Sequence, residues 1–148
     1  MPVPAIARKI VCMDEPTMRR NATQARVARV GTVDERGRAH LVPVTFALAG
    51  EVWYSPTDAG ERQAKRLRNL TRDPRVSILI DAYHDDWAKV WWVRLRGSGR
   101  VVTDGPERDH AWRLLREKYP QFAATPSEEG AGPVMAVDVE RWAGWAYT

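Results

Sequence analysis

The chain has a single cysteine in 148 residues, Cys12, so no internal disulfide can form, which suits a reducing cytoplasm. No apolar run approaches the roughly 20 residues that a membrane span requires. The opening stretch MPVPAIARKIVCMDEP carries too short an apolar segment, and no small-residue cleavage site, to act as a secretory signal. A cytoplasmic protein without a membrane partner is therefore expected. Repeats and low-complexity tracts are missing, which excludes solenoids and disordered arrays. Metal chemistry finds no support, because His84-Asp85-Asp86 has no second cluster at ligand spacing. Gly97-Ser98-Gly99 falls inside a predicted strand and is no nucleophile elbow, which needs a strand-to-helix turn. No acid–base pair stands out, so no residue is assigned a catalytic role. His40 shares a strand face with Val42 and Val44 and reads as a satisfied structural histidine, and His110 sits on a solvent-facing helix.

What is present describes one globular unit. The 44% hydrophobic and 28% charged content is ordinary for a soluble domain, and 148 residues can bury a real core. Seven tryptophans are many for this length, and most should anchor core or interface. A net charge of +4 makes anions plausible partners without naming one.

Residues 1–13 lack periodicity and read as an extension, leaving 14–148 as the folded domain. Asp14 and Pro16 suit a helix start, with Met18, Ala22 and Ala25 on one stripe. Strands are expected over Ala25–Val33, Arg38–Leu48 and Glu51–Ser55, joined by tight turns at Asp34–Gly37 and Ala49-Gly50. A helix should run from about Thr57 to Arg72, ended by Pro74. Strands Arg75–Ala82 and Val90–Thr103 follow, the second long enough to bend at Gly97 and Gly99. The loop between them, Tyr83–Trp87, suits the rim of a substrate pocket. A helix over Pro106–Tyr119, a polar loop over Gln121–Gly132 and a strand over Pro133–Glu140 complete the chain; Trp142 and Trp145 in the tail either pack on the barrel, the plainer reading, or line a partner's site. The fold class is mainly β with α: a six-stranded antiparallel split β-barrel with inserted helices.

The segment ERQAKRLRNLTRDPRVSILID is the most informative. Arg62, Lys65, Arg66, Arg68 and Arg72 place five cations on about three helical turns. Tyr54-Ser55-Pro56-Thr57-Asp58 precedes it and offers hydroxyls and an N-cap. Cations, hydroxyls and helix N–H groups meeting at one point can hold a phosphate. The plainer reading is a solvated amphipathic face. A nucleic-acid partner is not expected, because no aromatic-and-basic stacking platform or groove-reading motif accompanies the helix.

The order of these pieces resembles the FMN-binding split-barrel family typified by pyridoxamine 5′-phosphate oxidase, and is most similar to its branch that uses the deazaflavin coenzyme F420. The matching words are Ala28-Arg29-Val30-Gly31-Thr32-Val33 with Gly37, His40-Leu41-Val42-Pro43-Val44, Arg66-Leu67-Arg68-Asn69-Leu70, Asp73-Pro74-Arg75-Val76-Ser77 and Val93-Arg94-Leu95-Arg96-Gly97. The resemblance implies a homodimer with cofactor at the subunit interface and a small-molecule substrate. Pro43, Val44 and Thr45 would then run along the ring system, and Ser55, Thr57, Lys65 and Arg66 would take the phosphate. Many relatives carry Lys three residues before the helix Asn, where this chain has Arg66 with Lys65 beside it, so the choice between the two stays open. Trp92, rather than Trp91, would form the second subunit's wall against the ring, with Arg94 as a polar contact. The function implied is hydride transfer between F420 and a small organic molecule. The alternatives are an FMN-binding oxidase or flavin reductase on the same fold, or a binding protein without turnover.

Overall fold

Alternating apolar residues and tight turns produce a long antiparallel sheet, which the computed structural model describes over residues 10–58, 64–123 and 131–147. In chain order the elements are β1 (Ile10–Cys12), α1 (Glu15–Gln24), β2 (Ala28–Val33), β3 (Ala39–Val44), β4 (Ala47–Ala49) and β5 (Val52–Asp58). Then come α2 (Lys65–Arg72), β6 (Arg75–Ala82), β7 (Trp91–Val102), α3 (Gly105–Lys118) and β8 (Ala131–Tyr147). Among the described residues, eight strands stand where six were expected. The expected strand 38–48 divides into β3 and β4 at Thr45-Phe46, and Ile10–Cys12, read as part of an extension, pairs with Trp145–Tyr147 of β8. The last strand also continues past Glu140 to Tyr147.

The strand order is β3-β2-β6-β7-β8-β5-β4, with β1 added on β8, and every pairing is antiparallel. The first and last strands of this order, β3 and β4, are separated in the chain only by Thr45 and Phe46. The sheet must therefore curl until its ends meet at that corner, while the rest of the β3 edge stays unpaired. The result is a split barrel and not a closed one.

One bulge makes the curl possible. Arg96 lies opposite Arg141 and Gly97 opposite Val139, which leaves Glu140 as an extra residue in β8. The extra residue reverses side-chain parity, so Val139 before it and Trp142 after it both reach the same core. Gly97 is obligatory at the crossing, since a Cβ there would lie 2.1 Å from the Asp138 carbonyl oxygen.

Inside the barrel, Val30, Phe46, Trp53, Ile78, Val93 and Leu95 are fully buried. Each such side chain contributes about 1.5–3 kcal/mol through burial. Helix α2 closes one end by inserting Leu67 and Leu70, and Gly99 leaves the space that Leu70 fills. Helix α1 starts as expected, with Asp14 accepting from the Thr17 N–H at 2.8 Å, and lays Met18 against Gly144. Helix α3 covers only one side of the barrel's outside, packing Trp112 and Leu115 on Ala47, Tyr54, Val134 and Ala136. The outer face of β3, β2, β6 and the first half of β7 has no helix over it among the described residues, and this bare face positions the candidate site.

Candidate functional site

Two regions of the barrel hold the residues singled out from the sequence. The first is the unpaired edge of β3 with the end of β5 and the start of α2. Pro43 lies on this edge strand, as its missing N–H implied. Ser55 donates to the Thr45 carbonyl at 2.9 Å, and Arg66 donates to the Pro56 carbonyl at 3.3 Å. These bonds gather Val44, Thr45, Ser55, Thr57 and Arg66 around one mouth.

The helix does not begin where the sequence suggested. Strand β5 continues through Asp58, because Ser55, Pro56 and Asp58 pair with Met135, Val134 and Ala131 of β8. The helix starts eight residues later than Thr57, at Lys65, with Ala64 as a cap that gives no side-chain hydrogen bond. Arg62 lies outside the described residues. Ser55 and Thr57 are buried, and the Thr57 hydroxyl donates to the Pro133 carbonyl. Their protons are thus committed to backbone inside the barrel, and the cations near the mouth come from α2, where Lys65 and Arg66 lie in its first turn.

Lys65 is held by Asp34 of the β2–β3 turn, its Nζ 3.6 Å from Oδ2. Asp34 accepts from the Arg36 and Arg38 N–H groups at 2.9 Å each and from Arg38 Nε at 3.0 Å. The Arg38 N–H, followed by the Arg36 N–H and the Arg38 guanidinium, holds this carboxyl down at about 2. Sequence reading saw Asp34 only as a turn former; its spacing to Arg36 and Arg38 was the available signal. Beside it, Glu35, Lys65, Arg68, Asn69 and Arg72 line a cleft of about 360 Å³. Arg72 pairs with Glu35 at 3.3 Å. Arg68 has no carboxylate partner among the described residues. His40, expected to be satisfied, has a buried Nδ1 without a hydrogen-bond partner. It sits opposite Thr32, whose hydroxyl accepts from Asn69 at 3.0 Å.

The second region is the bare outer face. Register places Pro43, Arg29, Leu79 and Arg94 in one row across four strands. Pro43 and Arg94 are therefore about 14 Å apart on the same face. Leu41 on β3 is 69% exposed and Leu79 on β6 is 39% exposed. Trp92 lies one row along, edge-on to Trp145 with ring centres 5.7 Å apart, and the Arg94 guanidinium lies 5.4 Å from the Trp92 ring centre. Trp91 faces the core, as alternation required. A single chain thus separates Trp92 and Arg94 from Lys65 and Arg66.

Residues 15–146 match the pyridoxamine 5′-phosphate oxidase family. The chain belongs to that family. Solved structures share the same fold. One is the conserved hypothetical protein Rv2991 of Mycobacterium tuberculosis, at 20% identity and TM-score 0.76, over 93% of this chain and 86% of that one. Another is an FAD-binding protein of Mesorhizobium loti, at 19% identity and TM-score 0.66, over 95% of this chain and 98% of that one. A third is HutZ, the heme storage protein of Vibrio cholerae, at 16% identity and TM-score 0.71, over 90% of this chain and 94% of that one. No curated protein matches the chain. The pyridoxamine 5′-phosphate oxidase fold thus appears on proteins that bind different groups, so this chain's own residues must carry the functional argument. No helix among the described residues is long and apolar enough to cross a membrane.

Proposed function

We propose that two copies of this chain hold a planar, phosphate-bearing redox cofactor between them and use it to reduce or oxidise a small organic molecule. The observation that carries this reading is the division of the site. Cations and the β3 edge lie at one mouth, Trp92 and Arg94 lie three strands away on the same uncovered face, and Leu41 and Leu79 stand exposed between them. A second copy seated on this face would bring both halves to one ligand and bury the exposed apolar side chains.

The residues fit such a group. Lys65 and Arg66 would hold the phosphate, while Ser55 and Thr57 fix the backbone that presents them. Pro43, Val44 and Thr45 offer the ring system a strand edge that lacks one N–H. Trp92 of the partner subunit would close the ring's other side, with Arg94 of the partner subunit at a polar edge. When bound, the cofactor supplies the hydride chemistry, which accounts for a site without a side-chain acid–base pair. The chain's own work is to bind, orient and exclude water. F420 is favoured over FMN because Arg68 and Arg96 lack carboxylate partners among the described residues and suit the glutamyl carboxylates that only F420 carries.

Paired titration with F420 and FMN, with sedimentation to fix the assembly, tests the reading. Lys65→Ala combined with Arg66→Ala should weaken binding on the order of 100-fold, the loss of two charge-assisted contacts. Thermal unfolding should shift far less. Unchanged affinity in that double variant, or tight binding by a strictly monomeric chain, would overturn it.

A further inference from the structure

The richest unassigned feature lies beyond Trp92, where β6 and β7 are joined by an exposed segment. Tyr83 is 73% exposed and Trp87 is 50% exposed on this segment, an unusual placement for two large rings. Behind them runs a chain of aromatic contacts. Trp87 meets Tyr147 at 5.6 Å between ring centres, Tyr147 meets Trp145 at 5.1 Å, and Trp145 meets Trp92 at 5.7 Å. The last two pairs are edge-to-face, at 83° and 77°, which leaves ring faces open to a third ring. A cleft of about 190 Å³ lies among Tyr83, Trp87, Val90, Trp145 and Tyr147. It adjoins a second cleft of about 330 Å³, lined by Leu79, Ala82, Trp92 and Arg94, and the two share Tyr83 and Val90.

Charge narrows the ligand. Among the described residues, Asp81 and Arg94 are the only charged ones lining either cleft. Asp81 is neutralised by Arg29 at 2.6 Å, whereas Arg94 has no carboxylate partner among the described residues. A cationic ligand would meet an uncompensated guanidinium, and an anionic one would pair with it. The indole N–H groups of Trp87, Trp92 and Trp145 also donate to no acceptor among the described residues, so they too favour an oxygen-bearing guest.

We propose that this double cleft binds the substrate, and that the substrate is a small planar aromatic carrying an anionic oxygen group, of the aromatic carboxylate class. The rings of Tyr83 and Trp87 take its faces, and Arg94 takes its carboxylate. Calling this ligand a substrate rests on the cofactor reading above; its binding does not.

Isothermal titration of the full chain with 2-naphthoate and with 2-naphthylmethanol, each without cofactor, is the test. The acid should bind about tenfold more tightly than the alcohol. Arg94→Met should erase that preference. Trp87→Ala should weaken both by about fivefold and Trp87→Phe should restore most of the loss, an aromatic effect that a merely structural role would not show. Failure of 2-naphthoate to bind, equal affinity for acid and alcohol, or binding indifferent to Trp87→Ala would each overturn the proposal. Titration of the same protein with F420 and FMN separates the two readings. Cofactor binding without naphthoate binding removes the cleft proposal alone. Naphthoate binding without cofactor binding upholds the aromatic-anion site and removes the cofactor reading.

Discussion

Lys118, the last residue of α3, should make the protein less stable than a methionine would. Its ammonium lies 3.7 Å from the centre of the Phe46 ring and 5.4 Å from that of Tyr119, and its buried Nζ has no hydrogen-bond partner. Burial first, and the nearby Arg26 second, lower its pKa from 10.5 to about 8. The folded state therefore prefers the neutral amine. Below pH 8 the folded chain holds a cation in unfavourable surroundings. Between pH 8 and 10.5 only the unfolded chain keeps the proton, so stability rises with pH across that window. Above 10.5 the penalty is gone.

A depression of this size corresponds to about 3 kcal/mol in full. The side chain is only about half buried, so solvent screening reduces the penalty to about 1.5 kcal/mol. Methionine keeps the stem's packing but gives up about 0.5 kcal/mol of ammonium–ring attraction. Lys118→Met should thus stabilise by about 1 kcal/mol at pH 7, raising Tm by about 3 °C. Urea unfolding at pH 7 and pH 10.5, at one protein concentration, measures the difference at both ends of the window. The gain should be present at pH 7 and gone at pH 10.5. Destabilisation at pH 7, or a gain independent of pH, would refute the reasoning.

Two further outcomes follow from the fold. Gly97→Ala places a Cβ within 2.1 Å of the Asp138 carbonyl, a backbone atom that cannot rotate away, so chemical denaturation should show a loss of about 3 kcal/mol or more. Asp34 has its carboxyl held down at about 2 by backbone and side-chain donors, below its unfolded value of 3.8, so its contribution is present above pH 4 and lost as pH falls toward 2. Acid unfolding followed by circular dichroism should therefore begin at higher pH in Asp34→Ala; an unchanged acid midpoint would show that the turn does not depend on that charge.

Residue type and spacing revealed the central strands, because period-two alternation in 28–33, 75–82 and 91–95 reports one buried face directly, but not the short strand at Ile10–Cys12 or the break at Thr45-Phe46. They also revealed that Trp92 and Arg94 share a face opposite Trp91, since parity within a strand is local. What they could not reveal was set by distant pairing. Thr57-Asp58 has the chemistry of a helix cap, and nothing nearby opposes that reading. It becomes strand because Ser55, Pro56 and Asp58 find partners in β8, some 75 residues later, at Met135, Val134 and Ala131. That pairing turns the Thr57 hydroxyl inward to the Pro133 carbonyl and moves the start of the helix to Lys65. The same long-range logic hides the Glu140 bulge, whose single extra residue decides that Trp142 points to the core while Trp145 stays among the aromatic rings beside Trp92. Local chemistry therefore named the candidates at the site, and nonlocal pairing decided that the hydroxyls of Ser55 and Thr57 are spent on backbone carbonyls. On that ground the proposed phosphate contacts are Lys65 and Arg66, with the hydroxyls of Ser55 and Thr57 fixing the backbone beside them.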